Sequence, residues 1–178
     1  NGALRVLVMG GSQGAVALNE LVPEALSLLA GQMPIEIRHQ AGKKNTEKAV
    51  AQYRGLGLKA DVLPFIDDMA AMYGWADLAI CRSCALTVSE LAAAGVASVL
   101  IPYHCAVDDH QTANGRYLSD AGAALLISQK ELTAEKLARE LKPLMNRDAL
   151  LSMARKAREK AQPESTDTVV AACLRGGK

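Results

Sequence analysis

The sequence predicts an α/β fold: a Rossmann-like, doubly wound parallel sheet of about six strands with extra helices at its carboxyl end. Two observations carry that expectation. Short, unbroken apolar or β-branched runs alternate with longer segments of helical period, and such runs belong to strands covered on both faces. After Ile127 the alternation stops and only helical periodicity remains. Strand–helix alternation requires crossovers, and right-handed crossovers place helices on both sides of a parallel sheet.

The elements follow in order. Residues 4–9 read as the first strand. Residues 14–30 carry Val16, Leu18, Leu21, Val22, Ala25, Leu26 and Leu29 near helical spacing. Pro23, lacking an amide hydrogen, predicts a kink or restart inside that helix. Further strands are expected at residues 35–40, 61–65, 78–81, 98–102 and 123–127, with helices at 46–56, 67–75, 86–94 and 108–121 between them. The closing helices are expected at 133–145, 148–161 and 166–174. No internal repeat or low-complexity linker interrupts the pattern, and the 178 residues fit one domain.

Composition narrows the function. The 20 Lys+Arg nearly balance 19 Asp+Glu, and only 3% of residues are aromatic, so the basic excess and stacking surface of a dedicated nucleic-acid binder are both missing. The longest weakly polar stretch, residues 91–102, falls short of the roughly 20 apolar residues that span a bilayer, so no transmembrane segment is expected. The first residues lack the basic and apolar regions of a secretory signal. Four cysteines are too sparse for a secreted disulfide framework, which points to a reducing cytoplasm.

In an open α/β sheet, ligands bind beyond the carboxyl ends of the strands, where helix N-termini present free amides. Three loops there are unusual. The first, Met9-Gly-Gly-Ser-Gln-Gly14, follows the first strand, and its glycines would let the backbone approach an anion. Ser12 stands where a dinucleotide fingerprint needs glycine, and no Gly-Lys-Ser/Thr follows, which weakens an NAD or ATP reading. A plain strand-to-helix turn capped by Ser12 is the simpler alternative. The same loop matches the Gly-x-Ser-x-Gly elbow of α/β-hydrolases, with Asp77 or Asp109 and His110 as conceivable triad partners.

The second loop, Cys81-Arg-Ser-Cys-Ala-Leu-Thr-Val-Ser-Glu90, opens a helix that Ser83 or Thr87 can cap. Thr87 and Glu90 fit a capping box; a helix starting near Ser83 instead leaves Glu90 about two turns in and free to accept ribose hydroxyls. Cys81 and Cys84 form a Cys-x-x-Cys that could be redox-active or, with His104 and Cys105, bind zinc, although Cys81 in an apolar strand reads more simply as core. In the third loop, Asp108 and Asp109 suit a helix N-terminus. Gln111 and Asn114, three residues apart, share a helix face whose amides suit a polyhydroxylated ligand such as a sugar.

Together these segments resemble the carboxyl-terminal, donor-binding half of the MurG family of peptidoglycan glycosyltransferases, in glycosyltransferase family 28. The resemblance covers nearly the whole chain. It rests on Leu7-Val-Met-Gly-Gly-Ser-Gln-Gly-Ala15, His39-Gln-Ala-Gly42, Phe65-Ile-Asp-Asp-Met-Ala-Ala71, Trp75-Ala-Asp-Leu78, Cys81-Arg-Ser83, Ala85-Leu-Thr-Val-Ser-Glu-Leu-Ala-Ala-Ala-Gly95 and Asp108-Asp-His-Gln-Thr-Ala-Asn114. It implies the second lobe of a GT-B fold, with residues 1–178 forming a single domain for the donor UDP-GlcNAc and the amino-terminal acceptor domain absent. Gly11, Ser12, Gln13 and Gly14 would face the diphosphate, and the backbone of Ile66 would read uracil. Glu90 would hold the ribose. Ala85, Leu86, Thr87, Gln111 and Asn114 would line the phosphate and GlcNAc region, with Arg82 near the diphosphate or sugar. The implied reaction transfers GlcNAc to lipid I with inversion, giving lipid II. It has no obligatory metal or cofactor, and its general base lies on the other lobe. The parent enzyme would be peripheral on the cytoplasmic face of the bacterial inner membrane. The chain departs from the family pattern at Cys84, Ala97, His104 and Cys105. A non-catalytic UDP-sugar-binding or scaffold domain is the alternative, ahead of a Ser12 hydrolase or a Cys-x-x-Cys redox protein.

Overall fold

The computed structural model describes residues 2–11, 15–103 and 109–175. Its centre is a six-stranded, wholly parallel sheet made of β1 (Leu4–Met9), β2 (Ile35–Gln40), β3 (Ala60–Leu63), β4 (Leu78–Cys81), β5 (Ala97–Leu100) and β6 (Ala124–Leu126), in the order β3-β2-β1-β4-β5-β6. The doubly wound expectation holds. Strand order reverses between β1 and β4, which pair in register from Val6 opposite Leu78 to Met9 opposite Cys81.

Period-two alternation divides the strands between two cores. Leu4, Val6 and Val8 of β1 join Ile80 and Val99 in one apolar cluster, under α1 (Val16–Leu29), α2 (Thr46–Gly55) and α6 (Ala134–Leu141). Leu7 and Met9 face the other way with Ala79, Cys81 and Leu100, under α3 (Met69–Trp75), α4 (Ala85–Ala94) and α5 (His110–Ser119). Burial on both faces is why these strands read as unbroken apolar runs.

Pro23 neither breaks nor restarts α1, which runs continuously from Val16 to Leu29 with Pro23 buried in it. The apolar stripe Leu18, Val22, Ala25, Leu26 and Leu29 is buried along the same helix, and that packing outweighs the one hydrogen bond a proline removes. The expected helix 133–145 divides instead: α6 ends at Leu141 and a tighter 3-10 turn, Lys142–Leu144, carries Pro143 at its start. α7 (Arg147–Glu159) is capped by Asn146, whose Oδ1 accepts from the Asp148 amide at 2.8 Å. No residue of α8 (Ser165–Arg175) is buried.

α4 stops at Gly95, whose φ of 69° and ψ of 55° place it in the left-handed region. The Gly95 amide donates to Leu91 and Ala92, and the Val96 amide to Leu91, which closes the helix end. A Cβ there would lie 3.2 Å from Arg158 Cβ. Gly95→Ala is therefore expected to lower stability by about 1–2 kcal/mol, read from the midpoint of urea unfolding.

Candidate functional site

All six strands run the same way, so their carboxyl ends form one edge, and the β1–β4 switch point sets the loops after those two strands side by side, where open α/β sheets bind ligands. Gly10 is packed where a side chain cannot fit. A Cβ would stand 2.7 Å from the Ala15 amide nitrogen and 3.3 Å from both Asn19 Oδ1 and the Gln40 carbonyl. Gly11 has φ of +74° with open space around it. Ser12, Gln13 and Gly14 lie outside the described residues.

Three helices that begin at this edge share a feature. The residues preceding α1, α4 and α5 (Ala15, Cys84 and Asp109) give no side-chain cap, and none of the three has an acidic residue in its first turn. Asp68, Thr133 and Asn146 do cap α3, α6 and α7. Uncapped N-termini keep amides and positive dipole ends available to an anion. In α4 those amides belong to Ala85, Leu86 and Thr87, because the Val88 amide already donates to the Cys84 carbonyl at 3.0 Å.

The helix therefore starts two residues beyond Ser83, with Cys84 at the cap position, and neither Ser83 nor Thr87 caps it. Ser83 is fully buried and its hydroxyl donates to the Gln111 carbonyl at 2.8 Å. With Thr87 inside α4, the Thr87–Glu90 capping box does not form. Glu90, on the sixth residue of α4, instead accepts a hydrogen bond at 2.8 Å from the hydroxyl of Tyr73, a buried residue of α3. Burial, reinforced by the Glu90 bond and charge and by Cys81, pushes the Tyr73 phenol well above its ordinary value, so it stays protonated and donates.

α5 is braced against the same loop. Gln111 Oε1 accepts from the Tyr103 amide at 2.9 Å, Gln111 Nε2 lies 3.7 Å from Cys84 Sγ, and Asn114 Nδ2 donates to the Ser83 carbonyl at 3.2 Å. Both amides thus brace the loop, and Gln111 is buried with its oxygen and its nitrogen already engaged. Arg82 Nη1 donates to the Ile101 and Pro102 carbonyls at 3.0 and 3.3 Å, and the guanidinium sits 5.4 Å from the Tyr103 ring centroid. Ile66 is buried among Leu7, Met9 and Tyr73. Among the described residues, no other backbone group engages its amide or carbonyl.

Beneath the glycine loop lies a polar network that the sequence reading did not single out as functional. His39 is fully buried, with Nδ1 3.0 Å from the Tyr53 hydroxyl and Nε2 3.0 Å from Asn19 Oδ1. Asn19 Nδ2 donates to the Ala41 carbonyl at 2.9 Å, so its oxygen faces the ring and the imidazole proton is on Nε2. Burial raises the Tyr53 phenol above its ordinary value, so its hydroxyl donates to Nδ1. Burial also lowers the His39 pKa to about 4, which keeps the ring neutral. The available signal was polar residues at core-facing positions of consecutive elements.

Two elements of the alternative chemistries, Asp77 as a triad acid and Cys81 as a redox thiolate, do not fit the described geometry. Asp77 precedes β4 and so lies at the opposite edge of the sheet from Gly10 and Gly11, which follow β1, and it is clamped by Arg5 Nη2 at 3.1 Å and Arg147 Nη1 at 3.3 Å. It is not placed to serve Ser12 as a triad acid. The Cys81 thiol, buried in β4, is pushed up to about 12 by burial and by Cys84, which makes it a poor thiolate for redox exchange. Among the described residues no three His, Cys, Asp or Glu side chains come together as a metal site, and no helix is long and apolar enough to cross a membrane. His104, Cys105 and Asp108 lie outside the described residues.

Comparison with known proteins agrees with this layout. The profile of the glycosyltransferase family 28 C-terminal domain matches residues 5–169. A protein of Marinobacter nauticus, named UDP-N-acetylglucosamine--N-acetylmuramyl-(pentapeptide) pyrophosphoryl-undecaprenol N-acetylglucosamine transferase, is 53% identical over 175 residues, covering 98% of this chain and 48% of that protein. The protein of the same name from Cupriavidus metallidurans is 55% identical over 173 residues, covering 97% and 48%. The crystal structure of Acinetobacter baumannii MurG superposes with a TM-score of 0.93 at 48% identity, over 98% of this chain and 50% of that one. The glycosyltransferase VinC shares the fold, with a TM-score of 0.70 at 17% identity over 98% of this chain and 42% of its own. The chain thus spans about half the length of the relatives it matches.

Proposed function

This chain belongs to glycosyltransferase family 28, whose C-terminal domain it contains, and on that footing we propose that residues 1–178 form a donor-binding lobe for UDP-GlcNAc. The reaction it serves is transfer of GlcNAc to lipid I. The observation that carries the reading is the order of groups along α4: amides at Ala85, Leu86 and Thr87 that no described residue engages, then Glu90, five residues and about 7.5 Å along the axis from Ala85. A diphosphate at the helix N-terminus and a ribose one and a half turns on match that order.

In this reading the diphosphate lies between the Gly10–Ala15 loop and the N-terminus of α4, with Gly11, Ser12, Gln13, Gly14 and Arg82 around it. Glu90 accepts the ribose hydroxyls, and the backbone of Ile66, which no described backbone group engages, reads the uracil edge. Gln111 and Asn114 brace the β4–α4 loop that borders the sugar. As the acceptor hydroxyl forms its bond to the anomeric carbon, the bond from that carbon to the phosphate oxygen breaks, and negative charge grows on the departing UDP. Fixed amides and dipoles at the helix ends stabilise that charge without reorganising. The acceptor proton leaves to a base on an amino-terminal lobe, which also binds lipid I. No metal or cofactor is assigned to the lobe. Such an enzyme works on the cytoplasmic face of the membrane that holds its lipid acceptor.

Calorimetric titration of the chain with UDP-GlcNAc, UDP and UDP-glucose tests the reading. Measurable binding of UDP-GlcNAc and UDP is expected. Glu90→Ala should weaken UDP by about 2 kcal/mol, the size of a charge-assisted hydrogen bond. A folded chain that ignores UDP-GlcNAc at millimolar concentration would refute the donor role. Adding a separately produced amino-terminal lobe with a lipid I analogue should restore transfer, which neither half performs alone.

A further inference from the structure

Glu90 sits on α4, and the only side-chain hydrogen bond it accepts among the described residues comes from another helix. Tyr73 Oη donates to Glu90 Oε2 at 2.8 Å, and the Tyr73 ring is buried in the same apolar cluster as Ile66, Leu7 and Met9. The ring cannot swing without opening that cluster, so the hydroxyl is a fixed point. α3 begins three residues beyond Ile66 and is anchored at its start by Asp68, whose Oδ1 accepts from the Ala71 amide at 2.9 Å. One side chain therefore links the Ile66 segment to the carboxylate on α4.

We propose that Tyr73 is a positioning residue that holds the Glu90 carboxylate for the two hydroxyls of a ribose. The proposal rests on the donor-site reading above and deepens it to the selection of a ribonucleotide over nucleotides lacking those hydroxyls. A free glutamate side chain samples several rotamers and loses that freedom when it grips a ligand. Tethering one oxygen removes most of that cost before the nucleotide arrives. Each carboxylate oxygen has two lone pairs, so Oε2 keeps one and Oε1 both after the Tyr73 bond. Glu90 is only half-buried, which leaves that capacity open. Because α3 also follows the Ile66 backbone, displacement of either segment is felt by the other, and base and ribose are read as a unit.

The test compares UDP with 2′,3′-dideoxy-UDP in titrations of the parent chain, Tyr73→Phe, Glu90→Ala and the double variant. Tyr73→Phe keeps the ring and removes only the hydroxyl. It is expected to weaken UDP about three- to tenfold and the dideoxy nucleotide less than twofold. In the Glu90→Ala background it should change UDP affinity less than twofold, since the tether then has nothing to hold. The ratio of the two nucleotides is read within each protein sample, so a partial loss of folded protein cancels. An equal loss for both nucleotides, an unchanged ratio, or a full additional loss in the Glu90→Ala background overturns the positioning role. If Glu90→Ala leaves UDP affinity unchanged, the ribose assignment itself falls, and this inference falls with it.

Discussion

A Gly10→Ala chain is expected to unfold about 3 kcal/mol more easily than the parent and to lose at least tenfold in UDP affinity. The added methyl would meet the Ala15 amide nitrogen at 2.7 Å, with Asn19 Oδ1 and the Gln40 carbonyl both at 3.3 Å. None of these groups yields cheaply. Ala15 is the cap residue of α1 and its carbonyl accepts the Asn19 amide, Asn19 is locked by His39 and Ala41, and the Gln40 carbonyl already accepts the Gly10 amide at 3.1 Å. Relief requires moving the N-terminus of α1, and with it the amides proposed to face the diphosphate. Gly11→Ala is the internal comparison: its φ of +74° imposes strain, but nothing lies within 4 Å of the new methyl. It should cost about 1 kcal/mol in stability. Urea unfolding and UDP titration of both variants check the ranking. A Gly10→Ala chain that binds UDP within twofold of the parent removes the loop from the diphosphate site.

Acid is expected to destabilise the chain in a defined window. His39 has a folded pKa of about 4 against an ordinary 6.5, with burial as the cause. Between those values the unfolded chain binds a proton that the folded chain refuses, so unfolding becomes easier as pH falls. The stabilisation is complete above pH 6.5, declines as pH drops toward 4, and is gone below that. Its size is about 3 kcal/mol, from a shift of roughly two and a half pH units. Asp77 acts in a lower window. Burial alone would raise its carboxyl, but the Arg5 side-chain and backbone hydrogen bonds and the charges of Arg5 and Arg147 hold it below 3.8, so its contribution fades only in stronger acid. Urea unfolding at pH 7, 5.5 and 4.5 should show the His39 loss. His39→Gln, already weaker at neutral pH for lack of the ring, should lose clearly less over the same range. Equal slopes for parent and variant would remove His39 as the source.

Much of the scaffold was legible along the chain because its signals are local. The apolar runs of β1, β4 and β5 and the helical stripe of α1 depend only on neighbours in sequence, and so does the glycine pair at 10 and 11. Helix interruptions were harder. Pro23 carries a strong local signal, yet the buried stripe around it overrides the signal, whereas Pro143 meets no such compensation and marks a change to a tighter turn. The start of α4 was ambiguous because Ser83 and Thr87 are both good caps in isolation. Ser83 spends its hydroxyl on the Gln111 carbonyl, 28 residues away, and no local rule contains that partner.

The candidate site divides along the same line. By itself the sequence determined that glycines and helix starts gather at one edge of a parallel sheet, and that Glu90, Gln111 and Asn114 emerge there. Only the tertiary structure decided how those groups are held: Glu90 by Tyr73, Gln111 and Asn114 against the β4–α4 loop, and the glycine loop above the neutral Tyr53–His39–Asn19 network. Periodicity and turn chemistry act between near neighbours. Burial and the partnering of buried polar groups depend on which helices the crossovers bring together, and they set both the orientation of each side chain and the proton it carries.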